Sequence, residues 1–248
     1  MEGDQLLGVL NTAAQAVRLS LDGLDDWGPV GDRPGQYRCD LAADSAVLEV
    51  LLGAGLGVLS EESGLTCEDR DVLVVVDPVD GSTNASRGLP WFATSLCALD
   101  GEGPLAAVVV NQATGEHFSA ERGRGARRNG SATNPSGCEE LGEAMVAVTS
   151  TPATPLGWRQ VRALGAVALD LCAVACGHLD AYIDCSVDTH GPWDYLGAML
   201  ICQEAGASIV DLEGRDLVTR LVDERRSPVA AATPGLLAQA VAARLALS

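Results

Sequence analysis

Two aspartates three residues apart, Asp77 and Asp80, close an apolar run in the segment LVVVDPVDGSTN at 73–84. Asp-Gly is a turn signal, and a lone DxxDG would end a strand without doing chemistry. Two further acidic groups change that reading. SEES supplies Glu61 and Glu62 behind another short apolar run, and PWD supplies Asp194 just ahead of an amphipathic segment. Acids at the ends of separate elements can converge, and packed carboxylates repel one another unless a cation neutralises them. Oxygen ligands with no Cys or His among them suit Mg²⁺ rather than zinc. If Gly81, Ser82 and Thr83 open a helix, their amides offer donors to a phosphate. Carboxylate-held Mg²⁺ beside such a cradle points to phosphoryl chemistry. Asp194 also suits a helix N-cap, as does Asp44, while Glu62 reads as structural.

The elements that must carry these residues follow from periodicity. Leu6, Leu7, Leu10, Ala13, Ala14, Val17 and Leu21 recur at helical spacing, predicting an N-terminal helix ending near Gly23. A loop spans 22–38, and a second helix starts near Asp44 and stops at the glycines 53, 55 and 57. Runs at 94–99, 105–111 and 116–120 predict an antiparallel meander broken by DGEGP and QATG. Further strands are expected at 144–149, 181–184 and 208–210, and helices at 166–176, 195–205 and 234–247. The first half groups its strands and the second alternates helix and strand, which predicts a layered α/β (α+β) architecture.

Composition narrows the function. The chain has 248 residues, 47% of them apolar, enough for a substantial core in one domain or two fused halves. A formal charge of −18 repels nucleic acid and anionic membrane surfaces, leaving metal ions and small molecules as partners. There is no lysine, which excludes Schiff-base chemistry and a P-loop lysine. The eight cysteines form no CxxC pair and read as reduced core thiols of a cytoplasmic protein. Glu2 and Asp4 stand where a signal peptide would be basic, and no apolar run is long enough to span a membrane.

DPVDGSTN, the upstream SEES and the downstream WDYLGAMLICQEAGA together resemble the inositol monophosphatase family of Mg²⁺-dependent, lithium-sensitive phosphatases. GRGARRNG at 123–130 and RALGAVALDLCAVACGHLDAYID at 162–184 extend the likeness over most of the chain. The resemblance implies an alternating α/β/α/β/α sandwich spanning 1–248, with a metal-bearing half over 1–140 and an α/β half over 141–248. It implies two or three Mg²⁺ ions. Glu61, Asp77 and the Val79 carbonyl would hold the first, Asp77, Asp80 and Asp194 the second, and Glu61 would reach water around a weaker third. It further implies that Asp44 and Ser82 orient the attacking water, that Gly81 and Ser82 amides bind phosphate, and that Gly165, Ala166 and Asp184 contact the hydroxyl-bearing part of the substrate. A homodimer is expected on the same ground.

The chain departs from the family pattern at Ala85 and Leu196, in a 149–162 segment roughly a dozen residues short, and in a histidine offset by one, at His190. These departures fall mostly on the substrate and oligomer side. The reaction expected is hydrolysis of a small polyol phosphate such as inositol 1-phosphate. Histidinol phosphate, fructose 1,6-bisphosphate and 3′-phosphoadenosine 5′-phosphate are alternative substrates, and a non-catalytic regulatory protein is the alternative of another class.

Overall fold

A computed structural model describes residues 3–30 and 36–247. Residue 2 and part of the loop expected over 22–38 lie outside the described residues. Helices α1 (Gly3–Asp22) and α2 (Arg38–Gly53) come first. Strands β1 (Gly57–Ser60), β2 (Gly64–Thr66) and β3 (Leu73–Asp80) follow, then the single turn α3 (Ser82–Ser86). The meander is β4 (Ala93–Asp100), β5 (Gly103–Asn111) and β6 (His117–Glu121), extended by β7 (Ala126–Arg128) and β8 (Ser131–Ala132). Together these strands make an eight-stranded sheet in the order β2-β1-β3-β4-β5-β6-β7-β8.

The second half supplies β9 (Met145–Thr149), β10 (Gln160–Arg162), α4 (Val167–Ala175), β11 (Ala181–Asp184), α5 (Pro192–Ala205), β12 (Ser208–Asp211), β13 (Pro228–Ala231) and α6 (Pro234–Leu245). Its five strands order as β10-β9-β11-β13-β12. Between β9 and β10 the chain forms no helix.

Three apolar clusters separate five layers. Helices α1 and α2 cover one face of the large sheet through Leu6, Leu10, Val17, Val47 and Leu51. Helices α4 and α5 fill the space between the two sheets, and α6 closes the outer face of the small sheet. Strand β3 shows the period-2 logic: Val74 and Val76 face α1 and α2, while Leu73 and Val75 face α4 and α5. Ala85 packs in the first of these cores and Leu196 in the second. Among the described residues no helix is long and apolar enough to cross a membrane.

A candidate metal centre

Strands β1 and β3 run parallel with Ser60 beside Val76, so the chain leaves β1 at Glu61 next to Asp77. The Glu61 N–H donates to the Val76 carbonyl at 3.1 Å, which fixes that exit. Against β4, Asp77 pairs with Ser95 but Asp80 pairs with Ala93, so two residues, Pro78 and Val79, oppose one, Thr94. This bulge decides the site. In a regular strand, side chains three apart emerge on opposite faces; the extra residue returns Asp80 to the side of Asp77, toward α4 and α5. The bulge is held by Thr94 Oγ1 donating to the Pro78 carbonyl at 2.9 Å and by the Val79 N–H donating to Asp77 Oδ1 at 3.0 Å.

Helix α5 delivers the third acid. Pro192 occupies its first turn, and Asp194, at the third helical position, accepts the Gly191 N–H on Oδ2 at 2.7 Å. Asp194 therefore closes the first turn from within, and Gly191 is the N-cap. One carboxylate oxygen each from Glu61, Asp77 and Asp194 lies within 4.8 Å of the others. Asp80 stands beside them, its Oδ2 accepting the Ala168 N–H at the start of α4 at 2.6 Å.

Among the described residues no arginine forms an ion pair with any of these four acids. Burial, then repulsion from Asp194, pushes Glu61 up to about 8. Burial and the neighbouring carboxylates likewise raise Asp77 and Asp80 well above the usual range. Hard oxygen donors in a partly buried cluster of four acids, with only His190 beside Asp194 to offset their charge, suit a divalent cation. Glu61, Asp77 and Asp194 are the acids grouped closely enough to share an ion, and Asp80 and Val79, which lies in the bulge, border them.

The expected phosphate-binding corner centres on Gly81, whose backbone is left-handed (φ 85°). A Cβ there would meet Ala166 Cβ, the Gly165 carbonyl and the Trp91 carbonyl, each at 3.1 Å. Gly81 thus packs directly on Gly165 and Ala166, bringing three of the expected substrate residues together. Asn84 clamps the same corner, donating from Nδ2 to the Trp91 and Leu164 carbonyls at 2.8 Å each.

Two expected assignments are corrected. Helix α2 starts at Arg38, so Asp44 lies inside it and cannot be an N-cap; its Oδ1 accepts the Ser60 hydroxyl at 2.5 Å and the Ser63 hydroxyl at 3.3 Å. The partner of Ser82 is Asp40, one helical turn earlier. Asp40 also accepts the Tyr37 N–H at 2.8 Å, and burial, then Glu62, raises it to about 7 against the lowering of these hydrogen bonds. Asp40 is at the third position of α2, able to reach back to the N-cap amide, a signal that becomes legible only once the start of the helix at Arg38 is known.

Asp184 is the second correction. It is 0% exposed, and Ser186 occupies its Oδ1 through both backbone N–H and hydroxyl, so it does not face a substrate. Its Oδ2 lies 3.6 Å from His190 Nε2, and His190 Nδ1 lies 3.5 Å from Asp194 Oδ2. Burial alone would lower the His190 pKa; the two flanking carboxylates outweigh it and lift it to about 10.

A buried carboxylate centre at the strand ends of a five-layered α/β/α/β/α sandwich defines a class, the metal-dependent proteins of this architecture. The profile of the inositol monophosphatase family matches residues 39–246, and the chain belongs to that family. A fructose-1,6-bisphosphatase/inositol-1-monophosphatase of Thermococcus kodakarensis is 34% identical over 201 residues, 80% of this chain and 78% of that one. An inositol-1-monophosphatase of Mesorhizobium japonicum is 32% identical over 86% of this chain and 88% of its own. Among solved structures, extragenic suppressor protein suhB of Bartonella henselae superposes with a TM-score of 0.83 at 26% identity, covering 97% of this chain and 98% of that chain.

Proposed function

We propose that the protein is a Mg²⁺-dependent phosphomonoesterase acting on a small polyol phosphate such as inositol 1-phosphate. The convergence of Glu61, Asp77 and Asp194 oxygens within 4.8 Å, with Asp80 beside them, carries the reading. Glu61, Asp77, Asp80, Asp194 and the Val79 carbonyl would hold two or three ions. Bound there, Mg²⁺ supplies charge neutralisation and Lewis-acid polarisation of water and phosphate oxygens, the chemistry that in-line displacement at phosphorus needs. The chain's own groups do the positioning. The Gly81 and Ser82 amides hold the phosphate, Asp40 and the Ser82 hydroxyl orient the attacking water and hold its proton, and Gly165 and Ala166 wall the leaving-group side.

The names of the relatives support both inositol monophosphate and fructose 1,6-bisphosphate as substrates, and no carboxylate of β11 is free to select a hydroxyl pattern. The test is phosphate release with and without Mg²⁺ from inositol 1-phosphate, histidinol phosphate, fructose 1,6-bisphosphate and 3′-phosphoadenosine 5′-phosphate, with a millimolar Li⁺ arm. Mg²⁺-dependent, Li⁺-inhibited release from one compound is expected. Silence on all four from folded protein would overturn the reading in favour of a non-catalytic role.

A further inference from the structure

Three side chains stand in line behind the metal centre. Asp194 has its Oδ2 engaged by the Gly191 N–H at 2.7 Å and faced by His190 Nδ1 at 3.5 Å. The opposite edge of the same ring, Nε2, faces Asp184 Oδ2 at 3.6 Å and the Tyr182 hydroxyl at 3.2 Å. Asp184 Oδ2 is buried and has no hydrogen-bond partner, and Arg244, the other cation close to it, spends its guanidinium on the backbone carbonyls of Asp184 and Ser186. A buried carboxylate oxygen left in this way needs a countercharge, and His190 is the group aimed at it.

The backbone that carries the ring and the hydroxyl beside it are both held. The His190 backbone is paired in both directions with Arg226, at 3.4 and 2.9 Å. Tyr182 is fully buried and itself tied to Thr149 Oγ1 at 2.6 Å. Between His190 and α5 sits Gly191, where a Cβ would lie 2.4 Å from the Trp193 ring, so the Gly-Pro step lets the chain turn into α5 with His190 behind Asp194.

We propose that Asp184 and His190 are positioning residues for the metal ligand Asp194: Asp184 orients the imidazole, the imidazole and the Gly191 amide fix Oδ2, and Oδ1 is left to the cation. The inference rests on the metal-centre reading above. Outer partners of this kind set the orientation of first ligands and commonly change metal affinity tenfold or more. It also gives a use to a carboxylate withdrawn from the substrate side and to a histidine displaced by one position.

The test is calorimetric titration of Mg²⁺ alone into metal-free full-length protein, with thermal melting of each variant. The amide of Asn reproduces the Nδ1 edge of histidine and that of Gln the Nε2 edge. His190→Gln and Asp184→Asn are expected to weaken Mg²⁺ binding roughly tenfold, and His190→Asn by less than about threefold. The Asp184→Asn/His190→Gln double variant should lose no more than the worse single one, because both act through Asp194. Equal losses from Asn and Gln at position 190, or wild-type affinity in a folded Gln variant, would overturn the proposal and reduce the cluster to packing. Should His190→Gln not fold, Asp184→Asn, which keeps its acceptor for Ser186, decides alone. No Mg²⁺ binding by the wild type would instead bring down the metal-centre reading itself.

Discussion

Asp40 and Asp44 sit one helical turn apart in α2, and their neighbours give them different tasks. Asp40→Asn removes the acceptor facing Ser82 and is expected to lower kcat by a factor on the order of 10² to 10³, the range of a lost general base. Asp44→Asn should leave kcat within a few-fold and instead cost about 1–2 kcal/mol of stability, because two serine hydroxyls lose a charged acceptor. Steady-state kinetics and urea unfolding on the pair separate the two roles; the opposite pattern would restore Asp44 to the site. DLAAD offers two acids four apart, and nothing local in it says which one faces Ser82. That depends on where the helix begins, which Tyr37 and its amide settle. That Glu61, Asp77 and Asp194 come together was readable because each ends or opens an element beside strong apolar periodicity.

At the scale of elements, the β3 bulge and the start of α4 meet in Asp80. Asp80→Asn keeps an acceptor for the Ala168 amide while removing one of the repelling charges. Phosphate release is therefore expected to fall by a factor on the order of 10² or more. The metal-free melting temperature is expected to hold or rise, since a charge penalised by its neighbours is gone. Loss of fold together with activity would show that the carboxylate is chiefly a cap. Asp170 of α4 tests the same layer by pH. It accepts Trp91 Nε1–H at 2.9 Å, and burial raises it to about 7. A raised folded-state pKa gives a contribution present in full below the unfolded value, about 3.9, and lost as pH rises through 7. Asp170→Asn, which keeps the Trp91 bond, should gain on the wild type by on the order of 1 kcal/mol at pH 8 and less at pH 5 in metal-free unfolding; a pH-independent difference would sink this. Most elements were legible from their periodicity, but β13 was not. PVAA is short and buried on both faces, so it lacks the alternation that marks a strand.

For the whole molecule, an ion held by these acids would make folding and metal binding one equilibrium. Mg²⁺ at about 100 times its dissociation constant should stabilise the fold by about 2.7 kcal/mol, a melting shift of roughly 5–10 °C at this size. Differential scanning with and without the ion measures it, and an unmoved transition across millimolar Mg²⁺ would count against a built site. The bulge at Pro78 and Val79 carries a longer consequence. By the standards of a ladder it is a flaw, and removing either residue would mend the pairing of β3 with β4. The mended strand would leave the acid two positions after Asp77, still on the side of α4 and α5, with one residue in place of two opposite Thr94. Regular pairing would thus spare both acids and remove only the extra backbone unit between them, so a tidier sheet could keep every acid of the site while losing the additional carbonyl set there.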